Sequence, residues 1–175
     1  MLEGIIILGI APCLEEDLEK VLCKEKYDFL AVGLDCSDRV LFEIQHAATY
    51  HTEEFVEFHK RRKKAGGNLD YMTHSHTSVP KFAPDKLWPL VERHPFSGSS
   101  SYLGAQASVG MGYEKIILCG CPMSGQNILS PKKSAYDVFQ KGWEKYAYLL
   151  QGKVRSMSGW TSEFLGYPPE DWIGN

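Results

Sequence analysis

The stretch Gly4-Ile5-Ile6-Ile7-Leu8-Gly9-Ile10-Ala11-Pro12-Cys13-Leu14-Glu15-Glu16-Asp17-Leu18 decides the fold. Ile5 to Ile10 is a continuous β-branched and aliphatic run, the pattern of a strand covered on both faces, as in a parallel sheet. Gly9 and Pro12 punctuate its end. From Leu14 the period changes. Leu14, Leu18, Val21 and Leu22 share one helical face, and Glu15, Glu16 and Asp17 stand in the first turn, where they complement the helix dipole. The reading is strand, short turn, helix.

The same alternation continues along the chain. Asp28 to Leu34 predicts a second buried strand, followed by the polar loop Asp35-Cys36-Ser37-Asp38. Leu41 to Ala47 predicts a third strand. A helix then starts near Thr52, whose hydroxyl can cap Glu54 or Phe55. It ends in the solvated basic run Lys60 to Lys64, with Gly66-Gly67 as the stop. Leu69 to His74 predicts a fourth strand. Ser75 to Ser101 is the longest irregular region, the kind of loop that carries function or motion. Beyond it come a small-residue helix from Tyr102 to Met111 and a buried strand from Lys115 to Gly120. A long amphipathic helix from Lys132 to Leu150 follows, then a last strand from Lys153 to Met157. Thr161 to Leu165 forms a short helix that Gly166 and two prolines end. No repeat or linker divides the chain. The expectation for residues 1–175 is a single α/β Rossmann-like domain, with an open, mainly parallel sheet and helices on both faces.

Composition narrows the function classes. Hydrophobic residues make up 43% and charged residues 23% of the chain, the balance of a folded protein. A net charge of −3 argues against a binder of long nucleic acid, which needs a positive field to displace counterions. A single nucleotide needs only a local pocket. No apolar run approaches the ~20 residues of a membrane span, so no membrane partner is expected. The apolar N-terminus is too short for an export signal, and Glu3 stands where positive charge belongs. Cys13, Cys23, Cys36, Cys119 and Cys121 are an odd number without framework spacing, which fits a reducing cytoplasm.

In parallel sheets of this kind, sites lie outside the carboxyl ends of the strands. That edge comprises Gly9 to Cys13, Leu34 to Asp38, His74 to Ser78, Gly120 to Gln126 and Ser158 to Trp160. Ser97-Gly98-Ser99-Ser100-Ser101 opens the small-residue helix. A helix N-terminus offers unpaired N–H groups to phosphate or carboxylate, although serines there also serve as plain caps. The turn Gly9 to Cys13 can pack against a nucleotide, but it is neither G-x-G-x-x-G nor a Walker loop. Asp35 is placed to hold a ribose hydroxyl, or simply to turn the loop. His74 and His76 are candidates for a general base, or for a shared metal if His94, His46 or His51 joins them. A solvated histidine is the bland alternative. Cys119-Gly120-Cys121 has no second pair to support metal or redox chemistry. Trp160 is a candidate stacking surface.

Three stretches carry a resemblance. Leu8-Gly9-Ile10-Ala11-Pro12-Cys13-Leu14 is similar to a G-x-G-P-S-L opening. Tyr27 to Asp35 is similar to a second strand ending in Asn. Ser97 to Ser101, continued by Gly110 to Cys121, is similar to an S-G … A … G-Y-K-E-I-Y-L-x-G-x-D block. Together they resemble the Rossmann-like family that includes bacterial CMP-sialic-acid-dependent sialyltransferases and archaeal pterin diphosphokinase-like proteins. The resemblance implies a nucleotide enclosed by Gly9, Pro12, Cys13, Ser97, Gly98 and Ser99, with a loop histidine as base. The chain departs from the pattern at Ala11, Cys13, Asp35 and Cys121. Val154 to Trp160 also resembles small prophage proteins.

The combined expectation is a cytoplasmic protein that binds a nucleotide or nucleotide-sugar, with glycosyl or other group transfer as its chemistry. In that reading Ser99, Ser100 and Ser101 hold phosphate, and no cofactor is identified. The alternative is a prophage-derived structural or interaction protein, recognisable as a stable homo-oligomer with an empty strand-end cleft. A zinc hydrolase on His74 and His76 is the third reading.

Overall fold

The computed structural model describes residues 4–90, 92, 96–124 and 134–174. Seven strands form one sheet in the order β5-β4-β3-β2-β1-β6-β7, and every strand pair is parallel. The strands are β1 (Gly4–Leu8), β2 (Tyr27–Val32), β3 (His46–Ala48), β4 (Met72–Ser75), β5 (Lys86–Leu87), β6 (Ile116–Cys119) and β7 (Val154–Ser156). The helices are α1 (Leu14–Glu19), α2 (Cys36–Arg39), α3 (Phe55–Ala65), α4 (Ser100–Gly110), α5 (Ser134–Tyr146), α6 (Gly159–Leu165) and α7 (Glu170–Ile173). The α/β, parallel-sheet expectation is met. No helix among the described residues is long and apolar enough to cross a membrane.

The aliphatic run of β1 has no exposed side because both of its faces are covered. Ile6 and Leu8 point to a core shared with Leu14, Cys36, Phe55 and Phe58, from α1, α2 and α3. Ile5 and Ile7 point the other way, to a core shared with Tyr102 and Ala105 of α4 and with Trp143 and Tyr146 of α5. Burying each of these isoleucines contributes about 2 kcal/mol. The small residues of α4 let it lie directly on the sheet. A side chain at Gly104 would come within 3.0 Å of Leu30 and 3.1 Å of Val32.

Several boundaries differ from the sequence expectation, each for a physical reason. Asp35 to Asp38 is not a simple polar loop. Its residues Cys36 to Asp38 lie in α2, and the Cys36 thiol is buried against the carbonyls of Leu8 and Val32. The third strand is only its C-terminal end, because the carbonyls of Val40 and Phe42 accept from Arg62 and that of Ile44 accepts from Asn68. Arg62 is therefore wholly buried, while Lys60, Lys63 and Lys64 around it are exposed. The Thr52 hydroxyl meets Ser75 and the Thr77 carbonyl instead of capping α3. The irregular region contains the two-residue strand β5. Pro169 starts α7, which buries Ile173 in the core. The expected helix start at Lys132, the far end of the Gly120 to Gln126 loop and His94 lie outside the described residues.

Candidate functional site

The strand order reverses at β1. Its chain neighbour β2 lies on one side, and β6, reached only after the chain has crossed the sheet, lies on the other. The helices that follow β1 and β6, α1 and α5, pack on opposite faces of the sheet, which opens a crevice at the carboxyl ends of the two strands. The crevice is a cavity of about 590 Å³, within the usual range for small-molecule sites. Its walls are the Gly9–Cys13 turn, Val32–Gly33, the Ser99–Ser101 start of α4, the Gly120–Ser124 loop, Tyr136 and Phe139 of α5, and Ser158–Gly159.

The two exits run against each other. The Gly9 N–H donates to the Cys119 carbonyl at 2.8 Å and the Ala11 N–H to the Gly120 carbonyl at 3.1 Å. A β-carbon on Gly9 would collide with the Gly120 carbonyl and with the Cys121 sulfur, so glycine is required by this close approach. Behind the turn lies Asp17, 1% exposed. One oxygen, Oδ2, accepts from the Gly120 N–H and from the Ser158 hydroxyl, both at 2.8 Å. Ser158 Oγ is in turn 3.3 Å from Cys13 Sγ. Because the carboxylate only accepts, the serine hydroxyl points at Asp17 and the Cys13 S–H points at the serine oxygen. Burial and the nearby Asp17 carboxylate raise the Cys13 thiol above its ordinary range, against the opposing effect of the hydrogen bond it shares with Ser158.

At the opposite wall α4 begins. Ser99 is its N-cap, accepting from Tyr102 N–H, and its hydroxyl is 2.6 Å from that of Ser101. The first intrahelical bond runs from Leu103 N–H to the Ser99 carbonyl. The N–H groups of Ser100 and Ser101 precede it and have no acceptor within the helix. Ser100 Oγ accepts from Tyr50 N–H at 3.4 Å. The walls thus combine apolar surface, small hydroxyls and a helix N-terminus, a chemistry suited to a flat apolar group joined to one anion.

Of the residues named from sequence, Gly9, Pro12, Cys13, Ser99, Ser100 and Ser101 line this cavity. Five do not. Asp35 is turned away by the start of α2 and pairs with Arg61 at 3.2 Å. Ser97 is fully buried, and its carbonyl accepts from the Tyr50 hydroxyl. Gly98 abuts Gly142, so that α5 packs against the entry to α4. His76 is half-buried beside the Tyr50 ring, and burial followed by the proximity of His51 lowers its pKa.

His74 is buried under α4 with both ring nitrogens engaged. Trp88 Nε1–H donates to Nδ1 at 3.1 Å, and Nε2 is 3.0 Å from Nδ1 of His46. It does not line the cavity at the β1/β6 crevice and is not placed to act as a base on a substrate there. His51 lines the cavity instead, with its Nδ1 3.7 Å from Glu53. The sequence singled out the histidine-rich loops, but spacing alone could not show which histidine reached the cleft. Trp160 lies outside the cavity wall, its ring stacked on Phe164 at 4.9 Å. Cys121 lines the cavity while Cys119 is core, and all five cysteines are free. Among the described residues no three His, Cys, Asp or Glu gather to hold a metal ion.

Burial, then the neighbouring His46, pushes His74 down from an ordinary value of 6.5 to about 4. The unfolded chain therefore takes up a proton near pH 6.5 that the folded protein refuses until about pH 4. This stability is fully present above pH 6.5 and is lost as pH falls through that window, by up to about 3 kcal/mol. Urea midpoints measured from pH 7.5 to 4.5 will fall, and His74→Gln will flatten the decline. Equal slopes for the two proteins would contradict the assignment.

Comparison of the chain with family models, with curated proteins and with solved structures finds no match.

Proposed function

We propose that the cavity at the β1/β6 crevice binds a nucleotide or nucleotide-sugar. The observation that carries this reading is the convergence of two separate sequence features, the Gly9–Cys13 turn and the Ser99–Ser101 helix start, on one cavity. The phosphate sits at the start of α4, where backbone N–H groups and the helix dipole favour negative charge. Base and ribose lie along the Gly9–Cys13 turn and the apolar wall of Val32 and Phe139.

Group transfer is the chemistry this arrangement supports. An acceptor hydroxyl attacks the transferred group, and the bond to the phosphate oxygen breaks. The helix N-terminus stabilises the leaving anion. His51, at the cavity wall, takes the acceptor proton, the role that His74 and His76 are not positioned to fill.

A panel of nucleoside monophosphates and nucleotide-sugars, cytidine compounds included, tests the binding. A ligand at one hundred times its Kd stabilises the fold by about 2.7 kcal/mol, which raises Tm by roughly 5–10 °C for a chain of this size. Ser100→Asp, which puts a carboxylate where the phosphate belongs, will abolish the shift and leave the ligand-free Tm within a few degrees. No shift with any member of the panel would remove the proposal.

A further inference from the structure

Toward the opposite end of α4 from the cavity, five side chains form a continuous hydrogen-bond chain. It runs Trp88 Nε1 to His74 Nδ1 at 3.1 Å, His74 Nε2 to His46 Nδ1 at 3.0 Å, His46 Nε2 to the Tyr113 hydroxyl at 3.4 Å, and the Tyr113 hydroxyl to Asp28 Oδ2. Both ends have a single possible polarity. An indole nitrogen can only donate, and a carboxylate can only accept. The tautomers follow: His74 carries its proton on Nε2, His46 carries its own on Nε2, and every donor points from Trp88 toward Asp28.

We propose that this chain is an acid-triggered latch on the edge of the sheet: uptake of one proton by the His46–His74 pair ejects the Trp88 indole and frees the Lys86–Trp88 segment. If His74 takes the proton, it lands on Nδ1, directly opposite the Trp88 N–H. If His46 takes it, both His46 nitrogens become donors. His74 Nε2 must then accept, and the His74 proton moves to Nδ1. Each way of charging the pair with its mutual bond intact sets two donors against each other at Trp88.

The segment so released is the weakest part of the sheet. β5 has two residues and two registered pairs, His74 with Lys86 and Ser75 with Leu87. Trp88 adds a backbone bond from its N–H to the Ser75 carbonyl at 2.9 Å. Its indole also packs against the end of α4, where a β-carbon on Gly110 would strike the ring. The described charged and titratable groups facing the pair are few. His74 meets Asp85, Lys86 and His46, and His46 meets Asp28 and Tyr113. The covering helix α4 brings Gln106 and no charged residue. Burial holds both histidines below the ordinary range, and His74 at about 4, so the latch is closed at neutral pH.

The test is a pH titration of the uniformly 15N-labelled full chain by NMR, from pH 7.5 to 3.8. It follows the indole N–H signals of Trp88 and Trp143, with Trp143 Nε1–H on Ser99 Oγ as the reference for the intact fold. The Trp88 indole and the Lys86–Trp88 amides should lose exchange protection at least tenfold while Trp143 keeps its own. Trp88→Phe, which removes the opposing donor, should raise the titration midpoint of the pair by about half a unit or more. The proposal is overturned if the histidines titrate with the Trp88 indole signal unmoved, if Trp88 and Trp143 are lost together, or if Trp88→Phe leaves the midpoint where it was.

Discussion

Arg62→Lys will lower the unfolding free energy by about 3 kcal/mol, while Lys63→Ala on the same helix turn will change it by less than about 0.5 kcal/mol. Arg62 is fully buried, and its four hydrogen bonds go to uncharged oxygens. Nε donates to the Asn68 carbonyl at 2.7 Å and Nη1 to the Val40 carbonyl at 2.5 Å. Nη2 donates to the Phe42 carbonyl at 2.8 Å and to Asn68 Oδ1 at 2.5 Å. Asn68 completes the arrangement by accepting from the Ile44 N–H and donating to the Ile44 carbonyl.

The guanidinium thus takes the place of a neighbouring strand for the chain leading into β3. A lysine ammonium cannot reproduce the planar fork, so at least one buried carbonyl is left without a donor and one charge is less well solvated. Burial already lowers the Arg62 pKa from its ordinary value, as expected for a cation taken out of water. Arg62→Ala, which also leaves a void, should cost about 4 kcal/mol or more. Urea unfolding of the three variants measures this. A cost below about 1 kcal/mol for Arg62→Lys would show that the loop holds its shape without the fork.

That residue also marks a limit of sequence reading. Lys60 to Lys64 presents itself as a solvated helix end, and for the lysines it is one. Yet Phe55, Phe58 and Arg62 fall on one helical face, and the structure buries all three. Helical spacing pointed inward where residue type pointed outward, and hydrogen-bond supply decided the outcome. The error at Leu41 to Ala47 has the same cause, since those carbonyls look like strand acceptors until Arg62 claims that of Phe42 and Asn68 that of Ile44.

The strand framework was legible because a run such as Ile5 to Leu8 has no polar face to offer solvent. The convergence of Gly9–Cys13 with Ser99–Ser101 was legible because parallel strands all deliver their loops to one edge. The histidines were not. His74 sits in β4 with its side chain under α4, and the sequence of that strand has too little alternation to assign a face. Asp35 reads as loop in one dimension, and a single turn of helix carries it to Arg61.

Asp17 shows how a residue can carry two explanations at once. Glu15, Glu16 and Asp17 all suit the first turn of a helix, and dipole complementarity does not separate them. Leu14 and Asp17, one turn apart, are the buried members of α1, and Asp17 is the carboxylate that joins the exits of β1, β6 and β7 behind the cavity. Asp17→Ala is expected to destabilise the protein by about 3 kcal/mol, because it leaves the buried Gly120 N–H and the Ser158 hydroxyl without their acceptor. Asp17→Asn should cost distinctly less, since both bonds go to one oxygen and an amide oxygen in that place can accept them both. Ser158→Ala removes only one of the two bonds and should cost about 1 kcal/mol.

The same series probes the cavity. If Asp17 fixes the spacing of the Gly9 and Gly120 loops, any nucleotide affinity falls at least tenfold in Asp17→Ala and is largely restored in Asp17→Asn, measured below the Tm of each variant by calorimetric titration. Equal stability of the alanine and wild-type proteins would mean that the three loops hold one another without the carboxylate. A destabilised alanine variant with undiminished affinity would assign Asp17 to the fold alone.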